Sequence, residues 1–154
     1  MRPAEMMGSG GCAMFRKILV PVDFTEKNEA AIRAALEVIG SHEDSEIYLL
    51  HAIETIEHVE YDEMKDFYRK LENRAVAKLT LLEERCRESG AVKVFHDLQY
   101  GKRAETIVRY AEERGMDLIV LSSHKVDRDH PALGWGTISY RIAIVARCPV
   151  LLVK

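Results

Sequence analysis

The sequence predicts a single α/β domain in which an open parallel sheet carries helices on both faces. Short apolar runs rich in branched residues alternate with longer segments whose apolar residues recur at helical spacing. Alternation of strands and helices indicates a parallel sheet in which each helix forms a right-handed crossover between two strands. A length of 154 residues suits one domain with a substantial core.

The first strand and helix are predicted from residues 15–40. The continuous apolar run Ile18-Leu19-Val20 is typical of a central strand, and Pro21, which lacks an amide hydrogen, is expected at its end. Thr25 is expected to cap the helix that follows, and Gly40 to end it. The predicted buried face of this helix consists of Ala31, Ala34, Ala35, Val38 and Ile39.

A second strand is predicted at residues 46–53, and a long helix over about residues 58–89. The run at residues 92–98 is more mixed in polarity, which is typical of an edge strand. The predicted buried face of the long helix consists of Met64, Phe67, Leu71, Ala75, Leu79, Leu82 and Cys86.

The other half of the sheet is predicted from residues 103–154. A helix over residues 103–114 precedes an apolar run that starts at Asp117 and becomes polar at Ser122. After a charged loop, residues 138–145 predict the fourth helix and Val150 to Val153 the last strand. Because an apolar final strand leaves one edge unpaired, we expect another strand or a partner chain to cover it.

Charge, hydropathy and cysteine content exclude several classes of protein. A formal net charge of −3 gives no electrostatic case for binding nucleic acid, and no apolar run approaches the roughly 20 residues of a membrane span. Cys12, Cys86 and Cys148 lie far apart without a CxxC pair, which favours a reducing cytoplasm over a disulfide framework. Residues 1–14 lack periodicity and the apolar centre of a signal peptide, so they are interpreted as a flexible leader before a domain of residues 15–154.

Small and polar residues lie at the carboxyl ends of three predicted strands, where open parallel sheets bind ligands. They are Asp23, Ala52 and Ser122. Beyond Ser122, the segment Ser123-His124-Lys125 and the pair Gly136-Thr137 enclose a loop, and hydroxyls at a strand end with glycine before a helix can form a cradle for an anion. A purely structural interpretation stays open, because Asp23 also suits a turn and Gly136-Thr137 a helix start.

Three histidines, His51, His96 and His124, fall near the carboxyl ends of predicted strands. Their spacing matches no compact set of metal ligands, so no metal site is predicted. The sequence pairs no general base with a cysteine or hydroxyl nucleophile, and it therefore does not predict an efficient enzyme.

The order and spacing of these motifs resemble the universal stress protein family. The resemblance covers Phe15 to Lys154 and is carried by KILVPVDFTEKNEAAIRAA, LLHAI, Gly101 followed by AETIVRYAEERGMDLIV, SSHK, GTISYRI and CPVLLVK. It implies a Rossmann-like sheet of order 3-2-1-4-5, similar to the adenine nucleotide alpha hydrolases, and usually a homodimer. Many members of the family bind ATP or a related adenine nucleotide, whereas others do not.

The resemblance also implies a set of nucleotide-binding positions. Asp23 matches the acidic residue that contacts the nucleoside, and the family's phosphate loop reads G-x-x-G, nine further residues, then G followed by Ser or Thr. Here Ser122 and Lys125 stand at the first two glycine positions, and ten residues separate Lys125 from Gly136. The full implied set is Pro21, Asp23, Ala52, Ser122, His124, Lys125, Gly136 and Thr137, with Pro21 and Ala52 at the adenine pocket.

Two functional hypotheses follow from the resemblance. The first is a cytoplasmic homodimer, paired through Val150 to Val153, that binds ATP or AMP as a regulatory ligand in stress response, with Mg²⁺ entering only with the nucleotide. Its chemistry would be at most slow ATP hydrolysis or self-phosphorylation on Ser122, Ser123 or Thr137. The second is a dimeric interaction module of the same fold with an empty loop. A nucleotidyl- or acyl-transfer enzyme is a third alternative, for which the sequence offers no catalytic constellation.

Overall fold

The structure, a computed structural model, describes residues 14–40, 44–56, 61–89, 93–123, 129–130 and 137–154. Almost all of the predicted leader lies outside these ranges, as do the predicted site residues His124, Lys125 and Gly136.

Strands and helices alternate along the described chain, as predicted. In order they are β1 (Lys17–Pro21), α1 (Lys27–Ile39), β2 (Glu46–Ile53), α2 (Lys65–Glu88, preceded by a 3₁₀ turn, Tyr61–Met64), β3 (Lys93–Tyr100), α3 (Arg103–Glu113), β4 (Leu118–Ser122), α4 (Ile138–Val145) and β5 (Val150–Val153). The bounds predicted for β2, α4 and β5 are confirmed. No helix in the described ranges is both long and apolar enough to cross a bilayer.

The sheet is parallel throughout and has the order β3-β2-β1-β4-β5, which confirms the predicted fold class. β1 lies at its centre, where Ile18 is opposite Ile47 of β2 on one side and Leu118 of β4 on the other. The chain leaves β1 toward β2 but later returns to its opposite side as β4. The strand order therefore reverses between β1 and β4, and this is where a cleft opens in such sheets.

A separate apolar core covers each face of the sheet, because side chains alternate along a strand. Ile18 and Val20 of β1 pack with α1 and α2 on one face, whereas Leu19 packs with α3 and α4 on the other. All three side chains are completely buried. This double burial explains why the central strands appear in the sequence as continuous apolar runs.

The predicted start and buried face of α1 are partly wrong. Glu26 occupies the N-cap without a side-chain cap bond, and the Thr25 hydroxyl instead donates to Asp23 Oδ1 at 2.7 Å. Val38 is 42% exposed, while Ile32 is buried in its place. Around the axis of α1, the centre of the buried face lies between Ile32 and Ala35. Val38 therefore lies at the margin of that face and is partly exposed.

The first turn of α2 also differs from the prediction. Phe67 is 47% exposed, whereas its neighbour Tyr68 is buried. The Tyr68 hydroxyl accepts a hydrogen bond from the backbone amide of Ile56 at 2.9 Å. Tyrosine is favoured at this position because it fills apolar space and also satisfies a backbone donor of the segment after β2.

We expect Ile119→Ala to lower the free energy of unfolding by about 2–5 kcal/mol, because the close-packed centre of β4 cannot collapse around the lost methyl groups. Ile119 is fully buried, whereas Ile56 is 49% exposed. The same substitution at Ile56 is the control and should change the free energy by no more than about 0.5 kcal/mol. Urea unfolding followed by circular dichroism measures both values, and equal losses would contradict the core described here.

Candidate functional site

A cleft of about 350 Å³ opens at the carboxyl ends of β1, β2 and β4. The amino-terminal parts of α1, α3 and α4 form its remaining walls. The described residues that line it are Pro21, Val22, Asp23, Asn28, Leu50, His51, Ala52, Arg103, Ile107, Leu121, Ser122, Thr137, Ile138 and Ser139. Its volume falls within the range of small-molecule sites, roughly 300–1,000 Å³.

Five of the predicted site residues line this one cleft, although they are far apart in the chain. They are Pro21, Asp23, Ala52, Ser122 and Thr137. The other three, His124, Lys125 and Gly136, belong to the loop outside the described residues. The strand-end positions in the sequence thus converge at the point where the strand order reverses.

Asp23 is held by the turn that follows β1. Its Oδ1 accepts hydrogen bonds from the Thr25 amide at 3.0 Å and from the Thr25 hydroxyl at 2.7 Å. Burial alone would raise the pKa of this carboxyl, but hydrogen bonds from Thr25 and Asn28 outweigh it and lower the pKa below the ordinary 3.8. Asp23 is therefore ionised at neutral pH, and its carboxylate is a hydrogen-bond acceptor on the cleft wall.

Asn28 connects the two strand ends between which the cleft opens. Its side chain is buried, with 3% of the residue exposed. Oδ1 accepts a hydrogen bond from the Asp23 amide at 3.0 Å, and Nδ2 donates to Ser122 Oγ at 3.4 Å. One residue from the first turn of α1 thus joins the end of β1 to the end of β4.

His51 lies at the carboxyl end of β2 in a fixed tautomer. Its Nδ1 lies 2.8 Å from the carbonyl oxygen of Val22, and because a carbonyl only accepts, Nδ1 carries the proton. Burial lowers the pKa of the imidazole below 6.5, and the positive charge of Arg103 lowers it further, against the opposing effects of the Val22 bond and Asp23. The neutral imidazole stacks on Phe24, with 4.4 Å between ring centroids.

Phe24 holds an unusual backbone conformation beside the site. Its φ of 63° lies in the left-handed region, which costs a bulky side chain roughly 1–3 kcal/mol. His51 packs against the ring, and Lys78 Nζ from α2 lies 5.1 Å from its centroid. These contacts maintain the conformation of the turn that carries Asp23.

Hydroxyl groups gather where α4 begins. Thr137 is the N-cap of α4, and its Oγ1 accepts a hydrogen bond from the Tyr140 amide at 3.3 Å. Ser139 Oγ lies 3.3 Å from both Thr137 Oγ1 and Ser123 Oγ. The positive end of the α4 dipole and these hydroxyls provide surroundings suited to an anion.

Arg103, the first residue of α3, is the cationic side chain among the described lining residues. Its Nε lies 3.6 Å from Glu54 Oε2 in a pair that is exposed to solvent. Asp23 is the carboxylate among the same residues, so the described walls carry one full charge of each sign. Within the described ranges, no three histidine, cysteine, aspartate or glutamate side chains are placed to hold a metal ion.

The sequence-based prediction missed several lining residues, namely Asn28, His51, Arg103, Ile107 and Ser139. A signal for Asn28 was present, because it precedes Ala31 and Ile32 by three and four residues and so continues their apolar stripe. A polar residue in such a stripe indicates a buried hydrogen bond. Arg103 had no comparable signal, since it starts a helix whose distance to the other walls depends on the topology.

Comparisons with known proteins agree with this architecture. Residues 14–154 match the model described as "Universal stress protein family". The chain is 28% identical, over an alignment of 159 positions, to Universal stress protein MJ0577 of Methanocaldococcus jannaschii, with 92% of this chain and 96% of the relative covered.

Solved structures with the same fold include three universal stress proteins. UspA from Lactobacillus plantarum has a TM-score of 0.77 at 22% identity, covering 91% of this chain and 98% of that one. A universal stress protein in complex with cAMP has a TM-score of 0.70 at 20% identity, covering 92% and 98%. One from Archaeoglobus fulgidus in complex with dAMP has a TM-score of 0.61 at 17% identity, covering 92% and 99%.

We expect Thr25→Val to raise the pKa of Asp23, because valine keeps the backbone donor but removes the hydroxyl donor. In the unchanged protein this pKa should lie below 3.8. The ionised Asp23 carboxylate then contributes its full stabilisation above about pH 3.8. This contribution to the free energy of unfolding is lost as the pH falls through the lower pKa of the folded state. Carbon-detected NMR titration of the carboxyl measures the shift.

The control is Thr80→Val, which removes a hydroxyl that donates to the Val76 carbonyl on the exposed side of α2. It should leave the pKa of Asp23 unchanged. A pKa of 3.8 or higher for Asp23 in the unchanged protein would contradict the hydrogen bonding described for this turn.

Proposed function

The chain belongs to the universal stress protein family, and on this premise we propose that it binds an adenine nucleotide, ATP or AMP, as a regulatory ligand in the cleft. The observation that carries the proposal is the convergence of an apolar slot, the ionised Asp23 and the hydroxyl-rich start of α4 in one cavity. The cAMP and dAMP complexes of proteins with the same fold support this ligand class. A reducing cytoplasm is the compartment we propose, from the spacing of the cysteines.

The chemistry of the walls suggests how the nucleotide lies. The base suits the apolar part formed by Leu50, Ala52 and Ile107, and Asp23 accepts a hydrogen bond from a ribose hydroxyl. The phosphates then reach Thr137 and the amino end of α4, where the helix dipole favours negative charge. Because Asp23 is the sole carboxylate among the described lining residues, Mg²⁺ would enter with the phosphates.

Asp23→Ala should weaken binding of AMP and ATP by about 10- to 100-fold, because a hydrogen bond to a charged group is lost. Isothermal titration calorimetry with each nucleotide, with Mg²⁺ present for ATP, measures the change. Asp66→Ala is the matched control, since Asp66 pairs with Arg69 on the exposed side of α2 and does not line the cleft. No heat of binding at millimolar nucleotide would sink the nucleotide proposal and favour the interaction module.

We further propose that the chain forms a homodimer through β5, because the two edges of the sheet differ in how their backbone groups are satisfied. On β3, the outward carbonyl of Val94 accepts from Arg87 at 3.1 Å, and the outward amide of Leu98 donates to Asp97 Oδ1 at 2.7 Å. Side chains that occupy edge groups in this way discourage pairing with another strand. The β3 edge is thus partly blocked.

The β5 edge offers a regular set of backbone donors and acceptors. The amides of Ile119 and Ser123 donate to the carbonyls of Pro149 and Val153, so alternate residues of β5 face β4. The amides and carbonyls of Val150 and Leu152 consequently point away from the sheet, and no described strand pairs with them. An antiparallel second copy of β5 can satisfy these groups around a twofold axis at Leu151 or Leu152.

Leu151→Lys should convert the dimer to a monomer. Either register places this side chain within one residue of the twofold axis, so the two introduced charges would face each other at short range. Phe95→Lys on β3 is the matched control, because Phe95 is 41% exposed and Leu151 37%. Sedimentation velocity measures both variants, and a Leu151→Lys variant that sediments as the unchanged protein would rule out β5 as the contact.

A further inference from the structure

The orientation of the Asn28 amide follows from its partners. The Asp23 backbone N–H is a donor only, so the Asn28 atom 3.0 Å from it must be the carbonyl oxygen Oδ1. Nδ2 then faces Ser122 Oγ at 3.4 Å, and this amide nitrogen can only donate. Ser122 Oγ is therefore the acceptor in this contact, and its own proton is left for another partner.

Ser122 lines the cleft close to the start of α4. Its Oγ has no hydrogen-bond acceptor among the described residues, and its hydroxyl is next in sequence to Ser123, which contacts Ser139 at 3.3 Å. Ser122 and Thr137 both line the cleft, with the Ser122 hydroxyl against Asn28 of α1 and Thr137 at the start of α4. A hydroxyl that accepts from one side and offers its proton on the other is directed toward a ligand acceptor.

We propose that Asn28 is a positioning residue that holds the Ser122 hydroxyl as a hydrogen-bond donor to a phosphoryl oxygen of the bound nucleotide. The inference rests on the proposed nucleotide binding and adds a determinant to it. Through its second bond, Asn28 also fixes the backbone at Asp23, so one buried amide sets the spacing between the ribose and phosphate ends of the cleft. The ligand class selected is the phosphorylated nucleotide over the free nucleoside.

The first test compares AMP with adenosine. Ser122→Ala should weaken AMP binding about tenfold and leave adenosine binding unchanged, because only AMP offers the charged acceptor. Equal losses for AMP and adenosine would place the hydroxyl at the ribose and overturn the phosphate assignment. Thr80→Val, which removes an exposed hydroxyl on α2 away from the cleft, is the control and should leave both affinities unchanged.

The second test is a double-mutant cycle between positions 28 and 122. Asn28→Asp keeps an acceptor for the Asp23 amide but replaces the Nδ2 donor with a carboxylate oxygen, which would take the Ser122 proton away from the ligand. The variant should lose as much AMP affinity as Ser122→Ala. In a protein that already carries Ser122→Ala, Asn28→Asp should cause little further loss of AMP affinity. If the new carboxylate simply repelled the phosphate, the two losses of affinity would instead add in full.

Calorimetry with AMP and adenosine on the four proteins of the cycle, each checked for a cooperative thermal transition, decides the question. If Asn28→Asp does not fold, Asn28→Ala replaces it in the cycle. Asn28→Ala should lose part of the AMP affinity in the unchanged protein and none in the protein that carries Ser122→Ala. AMP binding that is indifferent to Ser122→Ala, or losses that add in full, would overturn this inference alone. Failure of the unchanged protein to bind AMP would overturn the proposed function together with it.

Discussion

Burial of the sheet on both faces is the constraint on which the rest of the structure depends. Ile18, Leu19 and Val20 are completely enclosed, so between its first residue, Lys17, and its carboxyl end β1 has no place for a polar side chain. Polar groups inside such a sheet would lose their hydration without compensation. They therefore collect at the carboxyl rim, and the reversal of strand order between β1 and β4 separates the helices there and opens the cleft. Packing that stabilises the fold thus also determines where a ligand can bind.

The fold could be predicted from the sequence because continuous apolar runs and helical periodicity report burial directly, as β2, α4 and β5 demonstrate. Local hydrogen bonds could not be predicted from the sequence as well as the fold could. The Thr25 hydroxyl could cap α1 or donate to Asp23, and the sequence does not distinguish these two hydrogen bonds; the structure shows the one to Asp23. In the site, strand ends predicted Asp23, Ala52 and Ser122, but Arg103 and Ser139 enter it from helices whose positions only the tertiary structure determines.

The described walls of the cleft have little net charge, which bears on how selectivity arises. His51 is neutral at physiological pH, and the charges of Arg103 and Asp23 offset each other. Attraction of a phosphate within this part of the cleft would then depend on oriented groups: the amino end of α4 and the Ser122 hydroxyl, which accepts from Asn28 and keeps its own proton for a ligand. Directed donors discriminate by geometry, so in the proposed nucleotide complex small changes in the buried hydrogen bonds around Asn28 would alter recognition more than changes in surface charge.

The unequal edges of the sheet have a consequence for the size of the assembly. A parallel sheet with two open edges could add copies at both ends and grow into a filament. Here Arg87 and Asp97 occupy backbone groups along β3, and only β5 presents a regular open edge among the described strands. A twofold contact at β5 uses that edge on both copies at once. In the proposed dimer, growth would then stop at two chains, and the continuous ten-stranded sheet would be bounded at each end by β3, whose edge is partly blocked.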